Sequence, residues 1–241
     1  MRIPGFGLGF FEETNMKGIQ LRNKANKSAE VLIYSDIGEG FFTSGITAQG
    51  FLQDLNALGD ISTLDIRINS NGGSVFDGIA IYNALRRHPA RKNVYVDGIA
   101  ASIASVIAMA GDTRTMGEGS FLMVHRASGL SVGNAEDMRN LADILEGIDR
   151  QLVDIYASRT GIDPATITEQ MTTETWLNAQ DAVAQGFADG IGEPLRIAAH
   201  VNAGRFHNVP ASLKPMNQAS TPRLDAYRAR MDEIAVWGAH P

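Results

Sequence analysis

The chain alternates predicted strands, glycine turns and predicted helices, and this order restricts the fold more than any other feature of the sequence. Runs that are typical of strands lie at residues 30–35, 64–69, 93–97 and 120–125. Helical patterns separate them: one is capped by Thr47, one runs from Val75 to near Pro89, and one is the apolar run at 98–111. Because strand, helix and strand pack as a right-handed βαβ unit, the sequence predicts an α/β fold with a mostly parallel sheet.

Residues that could take part in catalysis or binding follow the predicted strands. Residues 69–74, residues 97–102 and His125 each stand directly after, or at the end of, one of these strands. In a parallel sheet the carboxyl ends of the strands lie at one edge, where functional groups gather. We therefore expect three separate segments of the chain to meet at one site.

Ser102 stands where a predicted strand gives way to an apolar helix. A serine at such a turn has a free Oγ and backbone N–H groups beside it, which is what a nucleophile needs. Taken alone, however, a serine among alanines is more often a small packing residue. The pattern with a glycine two residues on either side of the serine is absent. One helical turn later, Ser105 is expected to be a buried packing residue.

Further candidate catalytic residues lie at the two other strand ends. Of the five histidines, only His125 ends a predicted core strand, so it is the candidate general base, with a structural histidine as the alternative. Gly73 has no Cβ and can present its backbone N–H to a developing oxyanion, although the Gly72-Gly73 pair can also be only a tight turn. The N–H of Ile103, directly after Ser102, is the second candidate donor.

The composition excludes several functions. There are no cysteines, which excludes disulfides, a thiolate nucleophile and a cysteine-based zinc site. The net charge of −6 argues against nucleic acid as the main partner. No lysine follows the Gly72-Gly73 turn in the Walker pattern, so nucleotide binding is not expected. The apolar run at 98–111 is shorter than the roughly 18 residues of a membrane span, and the start of the chain lacks a signal-peptide pattern. We expect a cytoplasmic protein without membrane contact, cofactor or metal.

The pattern divides the chain into three parts. We predict an N-terminal arm over residues 1–27, a globular domain over residues 28–195 and a C-terminal extension over residues 196–241. Within the domain, a long amphipathic pattern over 134–160 predicts a helix that stops at Gly161. Prolines and small polar residues in the extension predict a partly flexible segment with one helix over 224–236.

Four ordered segments resemble signature segments of the Clp protease proteolytic subunit family. They are residues 69–75, 98–102, 123–125 and 174–182, and the resemblance covers roughly residues 30–192 with family-like spacing. The residues of the fourth segment and the extra C-terminal residues look more like the phage and prophage branch of this family. Members of that branch are described as head-maturation proteases.

This resemblance implies a crotonase-like fold of repeated ββα and βαβ units, with the helix over 134–160 as a protruding handle. It also implies peptide-bond hydrolysis through an acyl-enzyme by a Ser-His-acid triad. Carried over residue by residue, it makes Ser102 the nucleophile, His125 the base, and the N–H groups of Gly73 and Ile103 the oxyanion hole.

The acid position of the resemblance falls on Glu174, where the family has Asp. A glutamate can still accept the imidazole N–H, but its extra methylene moves the carboxylate. The alternative is that Glu174 is a solvated loop carboxylate. Asp163 and Asp189 are less favoured replacements for the acid.

The resemblance further implies a polypeptide substrate that pairs with the backbone after His125 by strand addition. The substrate-binding residues that it implies are Gly72, Ser74, Arg126, Ala127 and Ser128. The implied partners are other copies of the chain, in a ring or in stacked rings, and either an ATP-dependent unfoldase or capsid and scaffold proteins. For the phage branch, the implied location is inside a procapsid.

Other interpretations of the same residues stay open at this point. A crotonase-type acyl-CoA enzyme would share the fold and an oxyanion hole of two N–H groups. A ring-forming assembly module without activity would share the fold alone. A Ser-Lys dyad would need a lysine near Ser102, and Lys92, on the approach to the same strand, does not stand where such a dyad requires it.

Overall fold

Eight strands form one sheet in the computed structural model, which describes residues 19–24, 27–39, 45–192 and 201–213. The strand order is β1-β2-β3-β4-β5-β8, with β6 beside β4 and β7 beside β6. The strands are Ile19–Lys24 (β1), Ser28–Ile33 (β2), Thr63–Ser70 (β3), Arg91–Ala101 (β4), Thr113–Gly117 (β5), Phe121–Val124 (β6), Thr175–Asn178 (β7) and Gly190–Gly192 (β8). All pairs are parallel except β1 with β2 and β6 with β7, as the alternating pattern predicts.

The described residues also form six α-helices, most of which begin at a capping side chain. The helices are Ala48–Ala57 (α1), Val75–Arg87 (α2), Ile103–Ala108 (α3), Ala135–Thr160 (α4), Pro164–Thr172 (α5) and Ala179–Ala184 (α6). Thr47 accepts the N–H of Gly50 at the start of α1, and Asn134 and Asp137 form a capping box at the start of α4. Gly161 ends α4 with φ 77°, a left-handed conformation that suits glycine.

Strand β4 is the longest strand and pairs with two different partners along one edge. Its residues 93–96 pair with β5, and its residues 99–101 pair with β6. On its other edge β4 lies beside β3. The carboxyl ends of β3, β4 and β6 are therefore adjacent, which confirms the expected meeting of the three segments that follow them.

The sheet separates two apolar clusters. The larger cluster contains Ala100 of β4, the buried faces of α1, α2 and α3, and the inner half of α4. The neighbours of Ala100 in sequence, Ile99 and Ala101, point to the opposite face because side chains alternate along a strand. There they pack with Val201, Phe206 and Val209.

The chain termini differ from the sequence prediction. Residues 1–27 are predicted as an arm, and within this range Ile19–Lys24 form β1, antiparallel to β2. Residues 201–213, which we call the C-terminal strap, are predicted as part of a flexible extension, yet Val201 and Val209 are buried against the sheet. The predicted helix over 224–236 lies outside the described residues.

The sequence prediction also misses β5, β7 and β8 and places the helix after β4 too early. These three strands have five residues or fewer, which is too short for an alternating pattern to stand out. The strand β4 continues through Ala101, since its last residues gain pairing with β6, and α3 begins only at Ile103.

The long helix α4 divides into a packed half and a protruding half. Its inner residues Ile148, Leu152 and Tyr156 are buried, whereas most residues before Gly147 are exposed. Apolar side chains remain exposed in the protruding half and in the loop before it: Leu130, Val132, Met138 and Ile144. The shape agrees with the expected handle, and the predicted apolar stripe is only partly covered within one chain.

Among the described residues, no helix has both the length and the apolar character needed to cross a membrane.

Helix α2 packs so closely on α3 that Gly78 has no room for a side chain. A Cβ at Gly78 would lie 2.1 Å from Cγ1 of Ile103. We expect Gly78→Ala to lower the free energy of unfolding by about 1–3 kcal/mol, the usual cost of overpacking, despite the better helix propensity of alanine. Denaturant unfolding measures this change. The matched control is Gly147→Ala in α4, where only the end of the Arg150 side chain lies within 4 Å. An unchanged free energy of unfolding in Gly78→Ala would contradict this close packing.

Candidate active site

Ser102 occupies the turn between β4 and α3 with an unusual backbone conformation. Its φ of 56° and ψ of −130° are disfavoured for any residue with a side chain. Such a conformation costs on the order of 1–3 kcal/mol and persists only where the surroundings impose it. The N–H of Ser102 donates to Met123 O (3.0 Å), and its carbonyl accepts from Ser105 N and Ser105 Oγ (2.9 and 2.6 Å). The turn is thus fixed on both sides.

The second serine of the apolar run is structural, as the sequence indicates. Ser105 is fully buried, and its Oγ lies 2.8 Å from the hydroxyl of Tyr156 on α4. It therefore connects the carbonyl of the Ser102 turn to the inner half of α4.

The glycine pair after β3 lies directly against the Ser102 turn. A Cβ at Gly72 would be 2.7 Å from Ala101 O and 2.8 Å from Cβ of Ser102. A Cβ at Gly73, whose φ is 149°, would lie 2.1 Å from Ile37 O. Glycine is therefore required at both positions by close backbone approach and not only by a tight turn.

This close approach brings two backbone N–H donors to the same place. Gly73 directly follows Gly72, and the Gly72 Cβ position would be 3.2 Å from the N of Ile103. Ile103 is the first residue of α3, where backbone N–H groups have no partner within the helix. Gly73 and Ile103 both line the cleft that contains Ser102.

His125 lies directly after β6 and meets the serine. Its Nε2 is 2.8 Å from Oγ of Ser102. The two residues are 23 positions apart in the chain, and the parallel pairing of β4 with β6 brings them together. The structure therefore brings together the serine and the histidine that the sequence analysis assigned to one site.

The cleft beside Ser102 is small and is closed at its base by the inner half of α4. The residues that line it are Gly73, Val75, Ser102, Ile103, His125, Arg126, Ala127, Ser128, Leu152 and Tyr156. Three of the expected substrate-binding residues, Arg126, Ala127 and Ser128, are among them. The other two are not: Gly72 packs behind Ser102, and Ser74 caps α2 by accepting the N–H of Asp77.

Asp149 of α4 holds the segment after His125 in place. Its carboxylate accepts Arg126 Nε and Ala127 N, both at 2.7 Å, and the residue is buried. The sequence gives a signal that the sequence prediction did not use, since Asp149 lies next to Ile148 on the inward stripe of an amphipathic helix. A larger cavity between α4 and α5 shares Arg126 with the cleft, but neither Ser102 nor His125 lines it.

Glu174 is buried and is held by the C-terminal strap. Its carboxylate accepts the N–H of His207 at Oε1 and Oε2 (2.8 and 2.9 Å), the N–H of Asn208 at Oε1 (2.6 Å) and Nε1 of Trp176 at Oε1 (3.1 Å). Its φ of 50° is left-handed. The alternative of a solvated loop carboxylate is wrong. No hydrogen bond connects Glu174 to Nδ1 of His125 in the part of the chain that the structure describes.

The other candidate acids and the candidate lysine have different contacts. Asp189 pairs with Arg114, and Asp163 caps α5 by accepting the N–H groups of Ala165 and Thr166. Lys92 stands near the start of β4, at the end of the strand opposite Ser102, and its Nζ donates to Ala90 O (2.7 Å). A Ser-Lys dyad with Lys92 is therefore excluded.

The electrostatic surroundings keep the imidazole of His125 neutral. Burial lowers its pKa below the ordinary value; nearby Arg205 and His207 lower it further, whereas the carboxylates of Glu174 and Asp149 oppose this. The pKa of Glu174 is also below its ordinary value. Burial alone would raise that pKa, but the N–H groups of His207 and Asn208 stabilise the carboxylate more strongly. A neutral imidazole facing a serine hydroxyl can act as a base.

A family model described as "Clp protease" matches residues 13–194, which is most of the chain. The chain belongs to the Clp protease family. Two relatives are described as ATP-dependent Clp protease proteolytic subunits. The one from Chlorella vulgaris is 30% identical over 192 residues, 79% of this chain and 90% of that protein. The one from Pleurastrum terricola is 37% identical over 137 residues, 56% of this chain and 70% of that protein.

The structure of a ClpP1 mutant from Listeria monocytogenes supports the fold. It superposes with a TM-score of 0.60 at 24% identity, covering 68% of this chain and 91% of that chain. The crotonase-like α/β fold and the assignment to a family of serine peptidases are therefore confirmed.

The pKa directions lead to a titration experiment. We expect His125 to titrate with a midpoint below about 6.5. Glu174→Gln should move the midpoint further down, because it removes a charge that raises the pKa of His125. Proton NMR of the imidazole across pH measures both. Glu118→Gln, in an exposed turn, is the control and should leave the midpoint unchanged. An upward shift in Glu174→Gln would contradict this electrostatic arrangement.

Proposed function

We propose that this chain is a serine endopeptidase in which Ser102 and His125 are the catalytic pair. The observation that carries the proposal is the 2.8 Å contact between Ser102 Oγ and His125 Nε2, in a cleft that Gly73 and Ile103 also line. A nucleophile, a base and oxyanion donors in one place are the parts that acyl transfer requires.

The first half of the reaction forms an acyl-enzyme. Ser102 Oγ attacks the carbonyl carbon of the scissile peptide bond while His125 Nε2 takes the hydroxyl proton. The tetrahedral intermediate then collapses: His125 gives this proton to the leaving nitrogen, and the C–N bond breaks. In the second half, a water molecule loses a proton to His125 and attacks the ester, and Ser102 leaves with that proton.

The N–H groups of Gly73 and Ile103 stabilise the negative oxygen of each tetrahedral intermediate. Both belong to backbone segments that the contact of Gly72 with Ser102 holds rigid. Donors that are already in position lose no free energy to reorganisation when the charge develops, and one such donor is typically worth about 2.7–4 kcal/mol in other proteases.

Glu174 serves as the acid of the site through its charge. It is ionised, buried and close enough to His125 to raise the pKa of the imidazole, so it stabilises the imidazolium that forms during each step. The carboxylate holds no hydrogen bond to Nδ1 of His125 in the free enzyme. Catalytic hydrogen bonds of this kind often tighten only when substrate is bound.

A peptide substrate lies along residues 126–128, beside the cleft. Asp149 fixes this segment through Arg126 and the Ala127 N–H, so its remaining backbone groups can pair with an extended chain. The cleft is small, which favours a compact side chain next to the cleaved bond.

We propose that the chain works as a homo-oligomeric ring or as stacked rings. The protruding half of α4 and its preceding loop expose Val132 (93% exposed) and Ile144 (55% exposed), and other copies of the chain would cover them. The relatives are named as proteolytic subunits, which supports an assembly. An ATP-dependent unfoldase is a second proposed partner.

The phage branch remains a further proposal. The glutamate at position 174 and the C-terminal residues after the family match support it. In this role the enzyme cleaves capsid or scaffold proteins, in the cytoplasm or inside a procapsid. Incubating the purified enzyme with such proteins and identifying the cut bonds by mass spectrometry tests this role.

Replacing the nucleophile tests the reaction. We expect Ser102→Ala to lower kcat on a fluorogenic peptide by roughly 10⁶-fold, the loss seen when a triad serine is removed elsewhere. A fluorophosphonate should label the wild-type protein at Ser102 alone. Ser158→Ala, which removes an exposed serine on α4, is the control and should keep full activity. Labelling at Ser105, or an active Ser102→Ala protein, would refute the assignment.

A charge on the handle tests the assembly. We expect Ile144→Asp to reduce the mass of the assembly measured by native mass spectrometry, because a carboxylate would replace an apolar contact between copies. Gln151→Asp places the same charge on the packed half of α4 and should leave the mass unchanged. A monomeric wild-type protein would contradict the ring.

A further inference from the structure

We propose that the C-terminal strap is part of the catalytic centre, in which Phe206 is a positioning residue for His125 and the backbone of His207 and Asn208 positions Glu174. This inference rests on the proposed function, because it assigns roles relative to the Ser102–His125 pair. It gives a catalytic task to residues beyond position 194, where the family match ends.

Phe206 packs against the imidazole of His125. Its ring meets the ring of His125 edge-on, with centroids 5.9 Å apart, and it meets Trp176 in the same way at 5.4 Å. Phe206 itself is buried. Since Nδ1 of His125 has no hydrogen-bond partner among the described residues, this aromatic contact does what the acid usually does, which is to fix the orientation of the ring.

The next two strap residues hold the acid. The N–H groups of His207 and Asn208 converge on the Glu174 carboxylate at 2.6–2.9 Å. Three of the four contacts at the carboxylate go to Oε1, so Oε2 keeps acceptor capacity for a further donor. The strap therefore favours the ionised form of Glu174 in a buried place, and Oε2, which accepts only the N–H of His207, can accept a further donor.

The strap is attached at several points along its length. Asn202 N donates to Oδ1 of Asn71, in the loop after β3, and Arg205 forms an ion pair with Asp36 at 2.8 Å. Val201, Phe206 and Val209 fill the apolar face that Ile99, Ala101 and Met123 present. These contacts connect the strap to the strands that carry the glycine loop, the serine and the histidine.

The strap acts on the chemical step and not on substrate binding. None of its residues lines the cleft beside Ser102, and the substrate segment 126–128 lies elsewhere. Loss of the strap contacts should therefore lower kcat and leave KM unchanged.

The experiment compares Phe206→Ala with wild type in the full-length protein. We expect kcat to fall about 10- to 100-fold, since a displacement of about 1 Å in a catalytic group costs that much. The rate of fluorophosphonate labelling at Ser102 should fall in parallel, with KM within twofold. Phe206→Leu refills most of the buried volume and should recover most of the lost kcat. This variant replaces Phe206→Ala in the comparison if the alanine variant does not fold.

A second readout separates positioning from stability. Phe206→Ala exposes His125 to water, so the acid limb of the kcat/KM profile should move to higher pH, because burial is the largest cause that lowers the pKa of His125. The charged and titratable groups that face His125, namely Glu174, Asp149, His207 and Arg205, are unchanged in this variant. Phe51→Leu, a buried phenylalanine on α1 remote from the site, should lower stability without changing kcat or this limb.

The outcomes are distinct. A lower kcat with unchanged KM and a shifted acid limb supports the proposal. Unchanged activity in Phe206→Ala overturns it, and so does higher activity, which would make the strap inhibitory. If the wild-type protein neither cleaves peptides nor reacts with a fluorophosphonate at Ser102, the proposed function fails. The imidazole titration by NMR then still decides whether Phe206 shields His125.

Discussion

The site depends on one steric constraint, the direct contact of the Gly72-Gly73 backbone with the turn at Ser102. No Cβ fits at either glycine, because carbonyl oxygens and the Ser102 side chain already lie within 2.1–2.8 Å of the places where one would be. This contact brings the Gly72-Gly73 turn close to the N-terminus of α3, and it helps to impose the disfavoured backbone conformation of Ser102. The remaining parts of the site are arranged around this rigid pair of loops.

Strand β4 places His125 beside the turn that this contact fixes. Its carboxyl end carries Ser102, and its change of partner from β5 to β6 brings His125 to the same edge. The buried tyrosine of α4 and Asp149 then connect the serine turn and the substrate segment to the long helix. If the outer half of that helix binds other copies of the chain, assembly and active-site geometry share one element.

Much of the fold could be predicted from the sequence, because periodicity reports directly on burial. The stripe and caps of the helix at 134–160 and the alternation of β3 match the structure within one or two residues. The short strands β5, β7 and β8 could not be found this way, since each gains its stability from pairing with neighbours distant in sequence. For the same reason the strap, which packs on the far face of the sheet, looked like a flexible end.

The sequence by itself determined the chemical groups of the site: the serine at a strand-to-helix turn, the histidine after a core strand, and the glycines that approach them. These follow from local pattern, because strand ends and glycine turns are encoded by neighbouring residues. Only the tertiary structure decided the surroundings of Glu174 and His125. Backbone amides and an aromatic ring some 33 and 81 positions further along the chain stabilise these groups, and such contacts depend on how the strap folds back across the sheet.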